Sequence, residues 1–357
     1  MSRARPVRHR RLAGQLLARP ADSPAEAVGW LGAVQAQDYL ASLWAVGQRT
    51  RGATASTVEQ AIADGSIVRT HVFRGTLQYV ARDDLRWMLA LVGRRVIAAS
   101  ASRYRQLGLD ERTLHRAEVA LREATRGGGQ LTRQEVAAVL QRNRIATDGQ
   151  RLIHIIARAE LDAVICSGAR RGKQSTFASF DERVPAAPAR PADSALRELA
   201  RRFFESRGPA TLRDLVWWSG LPTSAARAGL AANEADLDSE LVDGVAYWSL
   251  RGRSARGPSA HLLPAFDEYL VGYCDRRDVL HADHVRAINA GGGLLAPCIV
   301  VDGTVVGVWR RTIGRSGIAI ELRPLEPWAR GVRSAVAEAA ERYAAFVATP
   351  LVRLTTS

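Results

Sequence analysis

The chain has 357 residues, 47% of them hydrophobic and 24% charged, which exceeds the roughly 100–200 residues of a single domain and supplies core for about two to four compact units. A formal net charge of +14 points to a polyanion as partner, while no apolar run approaches the ~20 residues needed to cross a bilayer. Cys166, Cys274 and Cys298 are too widely spaced for a disulfide framework or a CxxC metal pair, and the charged N-terminus lacks the apolar stretch of a secretory signal. A cytoplasmic protein without metal or cofactor is therefore expected.

The elements form a loose repeat of two helices, a third helix and two short strands, the order of a winged helix. In the first unit, 8–113, a helix over Arg10–Ala18 precedes Ser23-Pro24-Ala25-Glu26, which has the form of a capping box with proline at the first helical position. Ala27, Trp30, Leu31 and Val34 mark the buried face of the helix that follows. Thr57–Asp64 is a third helix closed by Gly65, and Ile67–His71 and Thr76–Val80 alternate as the strands of a wing.

The second unit, 114–184, opens on a helix over Leu114–Thr125 that ends at three glycines. Thr132 and Glu135 form another capping box before Val136–Gln141, and Gly149–Leu161 is the candidate recognition helix. Strands over Val164–Ser167 and Thr176–Phe180 flank a basic turn. A Pro/Ala-rich linker, 185–193, leads to the third unit, 194–256. There Ala195–Glu205 is helical, Thr211 and Asp214 begin a capped helix, Leu221–Leu230 follows, and Asp243-Gly244 signals a hairpin. Beyond Gly257 the pattern changes to short strands at Cys298–Val301, Val305–Arg310 and Ile318–Leu322, with a closing helical region over Leu325–Phe346.

Common catalytic signatures are missing from the sequence: there is no GxxxxGK[ST], GxGxxG after a strand, HExxH or GxSxG. His281-Ala282-Asp283-His284 has metal-type residues but no third spaced ligand, and reads as a surface turn. Gln35-Ala36-Gln37-Asp38 places two neutral, bidentate amides beside a carboxylate where a helix ends. Residues two apart do not share a helix face, so both glutamines can meet one substrate only if the backbone leaves the helix there. Arg69, His71 and Arg74 fall on the first wing, where they suit phosphate contact or stand as a solvated strand. Arg170, Arg171 and Lys173 put three cations into the second wing turn and favour phosphate. The paired acids Asp267 and Glu268 read as a cap or as partners of arginine.

Several segments together resemble the AlkZ-like (YcaQ-like) winged-helix DNA glycosylases: "WLGAVQAQDY", "AIADGSIVRTHVFRGTLQYV", "DLRWML", "GQRLIHIIARAELDAVICSGARRGKQSTFA", "GPATLRDLVWWSGL" and "LLPAFDEYLVGYCDRR". They run in family order from about residue 10 to 350. The resemblance implies an α+β, mainly helical, C-shaped protein with three tandem winged-helix motifs and a C-terminal β-barrel-like domain, 257–357, holding double-stranded DNA in its concavity. It implies hydrolysis of the N-glycosidic bond of alkylated purines, mainly N7-alkylguanine, with some members unhooking interstrand crosslinks.

The family motif of glutamine, apolar residue, then glutamine or aspartate falls on Gln35-Ala36-Gln37. Gln37 would hold the water and Gln35 orient it or contact the sugar–base edge. Asp38 would either stabilise the cationic sugar or cap the next helix. The hairpin Val301–Trp309 corresponds to the family's DNA-probing hairpin, with Arg310 and Arg311 on the phosphate backbone. Gln78 departs from the pattern, since relatives commonly carry histidine there. Lys173 is the only lysine in the chain, so apart from the chain terminus it is the one amine able to form a Schiff base, and a monofunctional hydrolase is expected. With no heptad dimerisation helix, the enzyme is expected to be a monomer; a non-catalytic winged-helix DNA binder is the alternative.

Overall fold

The computed structural model describes residues 4–250, 259–289, 291 and 293–357. The boundary expected at 256/257 lies outside them. The chain is α+β and divides into two compact units, one made of 1–58 and 197–357, the other of 59–196. The second is thus inserted in sequence between the two segments of the first.

The first segment contains α1 (Ala4–Gly14), α2 (Pro24–Leu31), β1 (Val34–Gln35), α3 (Tyr39–Gly47) and the start of α4 (Ala55–Ala63), which crosses the border between units. Helix α1 lies earlier than the expected Arg10–Ala18, because the chain reverses at Leu16, whose φ is +58°. Ser23 caps α2 by accepting from the Glu26 N–H at 3.1 Å. The helix stops at Leu31, where Gly32 takes φ +76°, a conformation that favours glycine. Val34 therefore belongs to a strand and not to the helical face assigned to it. Helix α3, with seven of its nine residues buried, has no polar stripe and escapes a reading based on periodicity.

The inserted unit runs β2 (Ile67–His71), β3 (Leu77–Ala81), α5 (Arg82–Ala99), α6 (Ala101–Gln106), α7 (Glu111–Thr125), β4 (Gln130–Thr132), α8 (Arg133–Arg142), α9 (Arg151–Leu161), β5 (Ile165–Ser167), β6 (Thr176–Ser179) and α10 (Phe180–Arg183). Strands β2 and β3 form an antiparallel hairpin with Arg69 opposite Tyr79. The order β4-β6-β5 makes a second small sheet. Thr132 and Glu135 satisfy each other's backbone N–H groups, a complete capping box at the start of α8. Leu121, Val136, Leu140, Ile155 and Ile165 are fully or almost fully buried in the core that these elements share.

The chain returns to the first unit through α11 (Ala192–Arg207), then α12 (Leu212–Ser219), α13 (Thr223–Ala231) and the hairpin β7 (Leu237–Val242) and β8 (Val245–Leu250). Asp243 and Gly244 turn it with φ of +49° and +77°, the two left-handed positions of a type I′ turn. Ala210 pairs with Trp248 through two main-chain hydrogen bonds of 3.0 and 2.8 Å.

The remaining elements are β9 (Ala260–Leu263), α14 (Glu268–Val271), α15 (Val285–Ile288), β10 (Cys298–Val301), β11 (Thr304–Ile313), β12 (Ile318–Pro324), α16 (Arg330–Phe346) and β13 (Leu351–Thr356). Among the described residues the strands of this region do not close into the expected barrel. The five strands make an open sheet in the order β13-β12-β11-β10-β9, in which β12 and β13 run parallel. Helix α16 packs on the sheet, with Tyr343 meeting Trp309 at a ring-centroid distance of 5.0 Å. A helix laid on a sheet completes a core without closure.

Candidate functional site

Beyond Gly32 the backbone leaves the helix, as two cooperating glutamines require. Val34 and Ala36 are fully buried, Gln35 is half-buried, and Gln37 and Asp38 are exposed. Gln35 and Gln37 thus stand outside the core on either side of buried Ala36. The Gln37 N–H donates to Gln35 Oε1 at 3.1 Å, tying the two motif residues together. Asp38 accepts from the Ala41 N–H at 3.1 Å and caps α3. One carboxylate oxygen thereby keeps the anion at the mouth of the motif.

Behind this segment lies a buried ionic network. Glu268 Oε1 accepts from the Gln35 N–H at 2.8 Å, and Glu268 Oε2 meets Arg207 Nη2 at 2.5 Å. Arg207 also donates to the carbonyls of Leu31, at 2.7 Å, and Ala33, at 3.1 Å, while its guanidinium lies 4.3 Å from the Trp218 ring centroid. Next door, Arg49 grips both oxygens of Asp267 at 2.8 and 2.7 Å and donates to the Ala45 carbonyl within α3 and to Gln15. Asp267 and Glu268 are therefore partners of arginine, and Asp267 also caps α14. The sequence shows the acids as a pair. Their cations, Arg49 and Arg207, carry no signal in a chain where nearly every basic residue is arginine.

Arg311 lies over the ring of Tyr343 at 5.4 Å, whereas Arg310 is exposed on β11. Burial pushes the Tyr343 hydroxyl up to about 12, with the charge of Arg311 opposing the shift and that of Asp38 adding to it. Tyr343, on α16, is thus the ring on which Arg311 rests, and sequence reading missed it. The hairpin Val301–Trp309 does not offer a free tip. Gly303 at its turn is packed against Arg8, and its carbonyl accepts from the Tyr269 hydroxyl at 2.9 Å. The exposed tip belongs to the next hairpin, β11–β12, at Ile313, Gly314, Arg315 and Ser316.

The other basic candidates lie in the inserted unit. The Arg69 N–H donates to Ser167 Oγ at 2.8 Å. His71 is buried and its Nδ1 pairs closely with Glu160 of α9, so this side chain faces the core of its unit. Arg74 is exposed, with φ +57°. Arg170 pairs with Glu59 at 3.0 Å and Arg171 with Glu135 at 2.7 Å, and Lys173 is exposed. Such exposed pairs contribute little to stability, and both guanidinium groups also donate to main-chain carbonyls, of Lys173 and Gln130. Gln78 is buried, its Oε1 accepting from the Phe73 N–H at 3.0 Å.

Among the described residues no group of three His, Cys, Asp or Glu side chains could hold a metal; His284 instead meets Glu326 at 2.9 Å. No helix among them is long and apolar enough to cross a membrane.

The chain is 27% identical over 314 residues to an interstrand DNA cross-link repair glycosylase of Streptomyces sahachiroi, covering 80% of this chain and 82% of that protein. The solved structure of the Streptomyces sahachiroi DNA glycosylase AlkZ superposes with a TM-score of 0.82 at 23% identity, over 100% of this chain and 99% of that one, which establishes a common fold. The family model of AlkZ-like DNA glycosylases matches residues 28–346, a span that runs from just before the paired glutamines to the end of α16, and the chain belongs to that family.

Proposed function

We propose that the protein hydrolyses the N-glycosidic bond of alkylated purines in duplex DNA, chiefly N7-alkylguanine, and leaves an abasic site without strand cleavage. The observation that carries this reading is the pair of glutamines just beyond Gly32, tied together by the bond from the Gln37 N–H to Gln35 Oε1, beside an aspartate that caps α3, in a chain of this family. Alkylation at N7 makes the purine cationic and a good leaving group, so the sugar develops oxocarbenium character before water arrives. Gln37 then holds the water and Gln35 orients it; positioning of this kind contributes several kcal/mol without a strong base. Asp38, fixed by its cap, favours the developing positive charge.

Three winged-helix units, 8–113, 114–184 and 194–256, grip the duplex as a monomer. The order α7-β4-α8-α9-β5-β6 and the elements from α11 to β8 support that division. Phosphates are met by Arg69, Arg74, Arg170, Arg171 and Lys173, and by Arg310 and Arg311 beside the exposed β11–β12 tip. Bulky adducts and crosslinks belong to the same reading, because the relative from Streptomyces sahachiroi is named for crosslink repair.

The test is release of N7-methylguanine from duplex DNA. The wild type releases the base; Gln35→Ala and Gln37→Ala bind the duplex but release it far more slowly. Wild-type binding without release, for bulkier adducts as well, would leave a non-catalytic DNA binder.

A further inference from the structure

Three alternate residues leading into the glutamine motif are held from behind by one buried ion pair. Arg207 takes the carbonyls of Leu31 and Ala33, and Glu268 takes the N–H of Gln35. Both side chains are at most 1% exposed, so neither can touch substrate. The guanidinium is stacked against Trp218 and Phe203, at 4.3 and 5.7 Å, and Gly272 leaves room for it: a Cβ there would stand 3.1 Å from Arg207 Nε.

Stability alone does not account for such a pair. Taking two charges out of water offsets most of their attraction, and an apolar pair of similar volume often serves a core equally well. An apolar pair cannot supply three directed hydrogen bonds to one stretch of main chain. Those bonds fix the backbone on which Gln35 stands, and the Gln37 N–H bond to Gln35 Oε1 passes that placement to the second glutamine. The neighbouring acid extends the frame, since Asp267 holds Arg49, which bonds to Ala45 inside the helix that Asp38 caps.

From this geometry we infer that Arg207 and Glu268 are positioning residues of the reaction, setting the reach and heading of Gln35 and Gln37 without contacting DNA. The inference rests on the glycosylase reading above.

The experiment compares single-turnover release of N7-methylguanine, duplex affinity by fluorescence anisotropy and thermal stability in wild type, Arg207→Lys and the double variant Glu268→Leu/Arg207→Met. The double variant removes both charges together and so avoids an orphaned buried ion. Lysine keeps the charge but loses the planar fork that reaches two carbonyls and a carboxylate. Folded variants of either kind should bind the duplex like the wild type yet release base roughly 100-fold more slowly, the scale of an ångström's misplacement of a catalytic group. A folded variant that releases base at the wild-type rate would overturn the positioning role and leave the glycosylase standing. A rate that falls only in proportion to the folded fraction would overturn it equally. If the wild type releases no base, the glycosylase reading fails and this one with it.

Discussion

His261, on β9, provides a measurable link between acidity and stability. Its Nε2 is buried and has no hydrogen-bond partner among the described residues. Burial first, then the charges of Arg342 and Arg49, hold its pKa down at about 3 against an ordinary 6.5. In the unfolded chain the ring takes its proton near the ordinary value, whereas the folded protein refuses it until far lower pH. Between those two values the unfolded state carries more protons, so stability rises with pH. The contribution is whole above pH 6.5 and drains away as the pH falls towards 3. Going from neutrality to pH 5 crosses about 1.5 units of that window; at 1.36 kcal/mol per unit the loss is about 2 kcal/mol. Urea unfolding followed by tryptophan fluorescence, at both pH values, should show the wild type losing that much more than His261→Asn. All other titrating groups are common to the two proteins and cancel. Equal losses would mean that the folded protein accommodates the imidazolium, and would refute the reasoning.

Two further outcomes are expected. In Gly47→Ala the new Cβ would sit 2.1 Å from Cε2 and 2.6 Å from Cδ2 of the Phe346 ring; both residues are in packed helices, so calorimetry should show a lower Tm and a loss of roughly 1–3 kcal/mol, and an unchanged Tm would contradict the packing of α3 against α16. Replacing exposed Arg310 by glutamine should flatten the plot of log affinity for duplex DNA against log salt concentration by about 0.9, the share of one phosphate contact; an unaltered slope would remove Arg310 from the interface.

What could be read from the sequence was local. The capping boxes at Thr132 and Thr211 are complete, and the Asp-Gly turns at 243–244 and 302–303 both adopt positive φ, because each depends on neighbours within a few residues. Helix α3 was invisible because burial on nearly every side removes the periodic signal. The open sheet depends on β12 pairing with β13, Ile318 with Leu351, a contact that no local pattern encodes. At the candidate site the glutamines were legible by family resemblance. Their support was not, since Arg207 and Glu268 lie 61 positions apart. Charge was silent in one respect: Arg11, Arg49 and Arg207 are almost wholly buried and each is paired with a carboxylate, so these arginines hold the fold together and are not available to DNA.

The nesting of one unit within the other also orders the birth of the protein. Gln35 and the Glu268 that holds it are separated by 233 positions, and at roughly 5–20 residues per second a ribosome needs on the order of ten to fifty seconds to join them. Residues 59–196 are complete long before that and can collapse first on contacts of their own. The segment bearing the glutamines must wait for its full frame until Glu268 has followed Arg207 out of the ribosome. A nascent or prematurely terminated chain that stops before residue 207 therefore carries the glutamine motif without Arg207 and Glu268, the buried pair that holds its backbone.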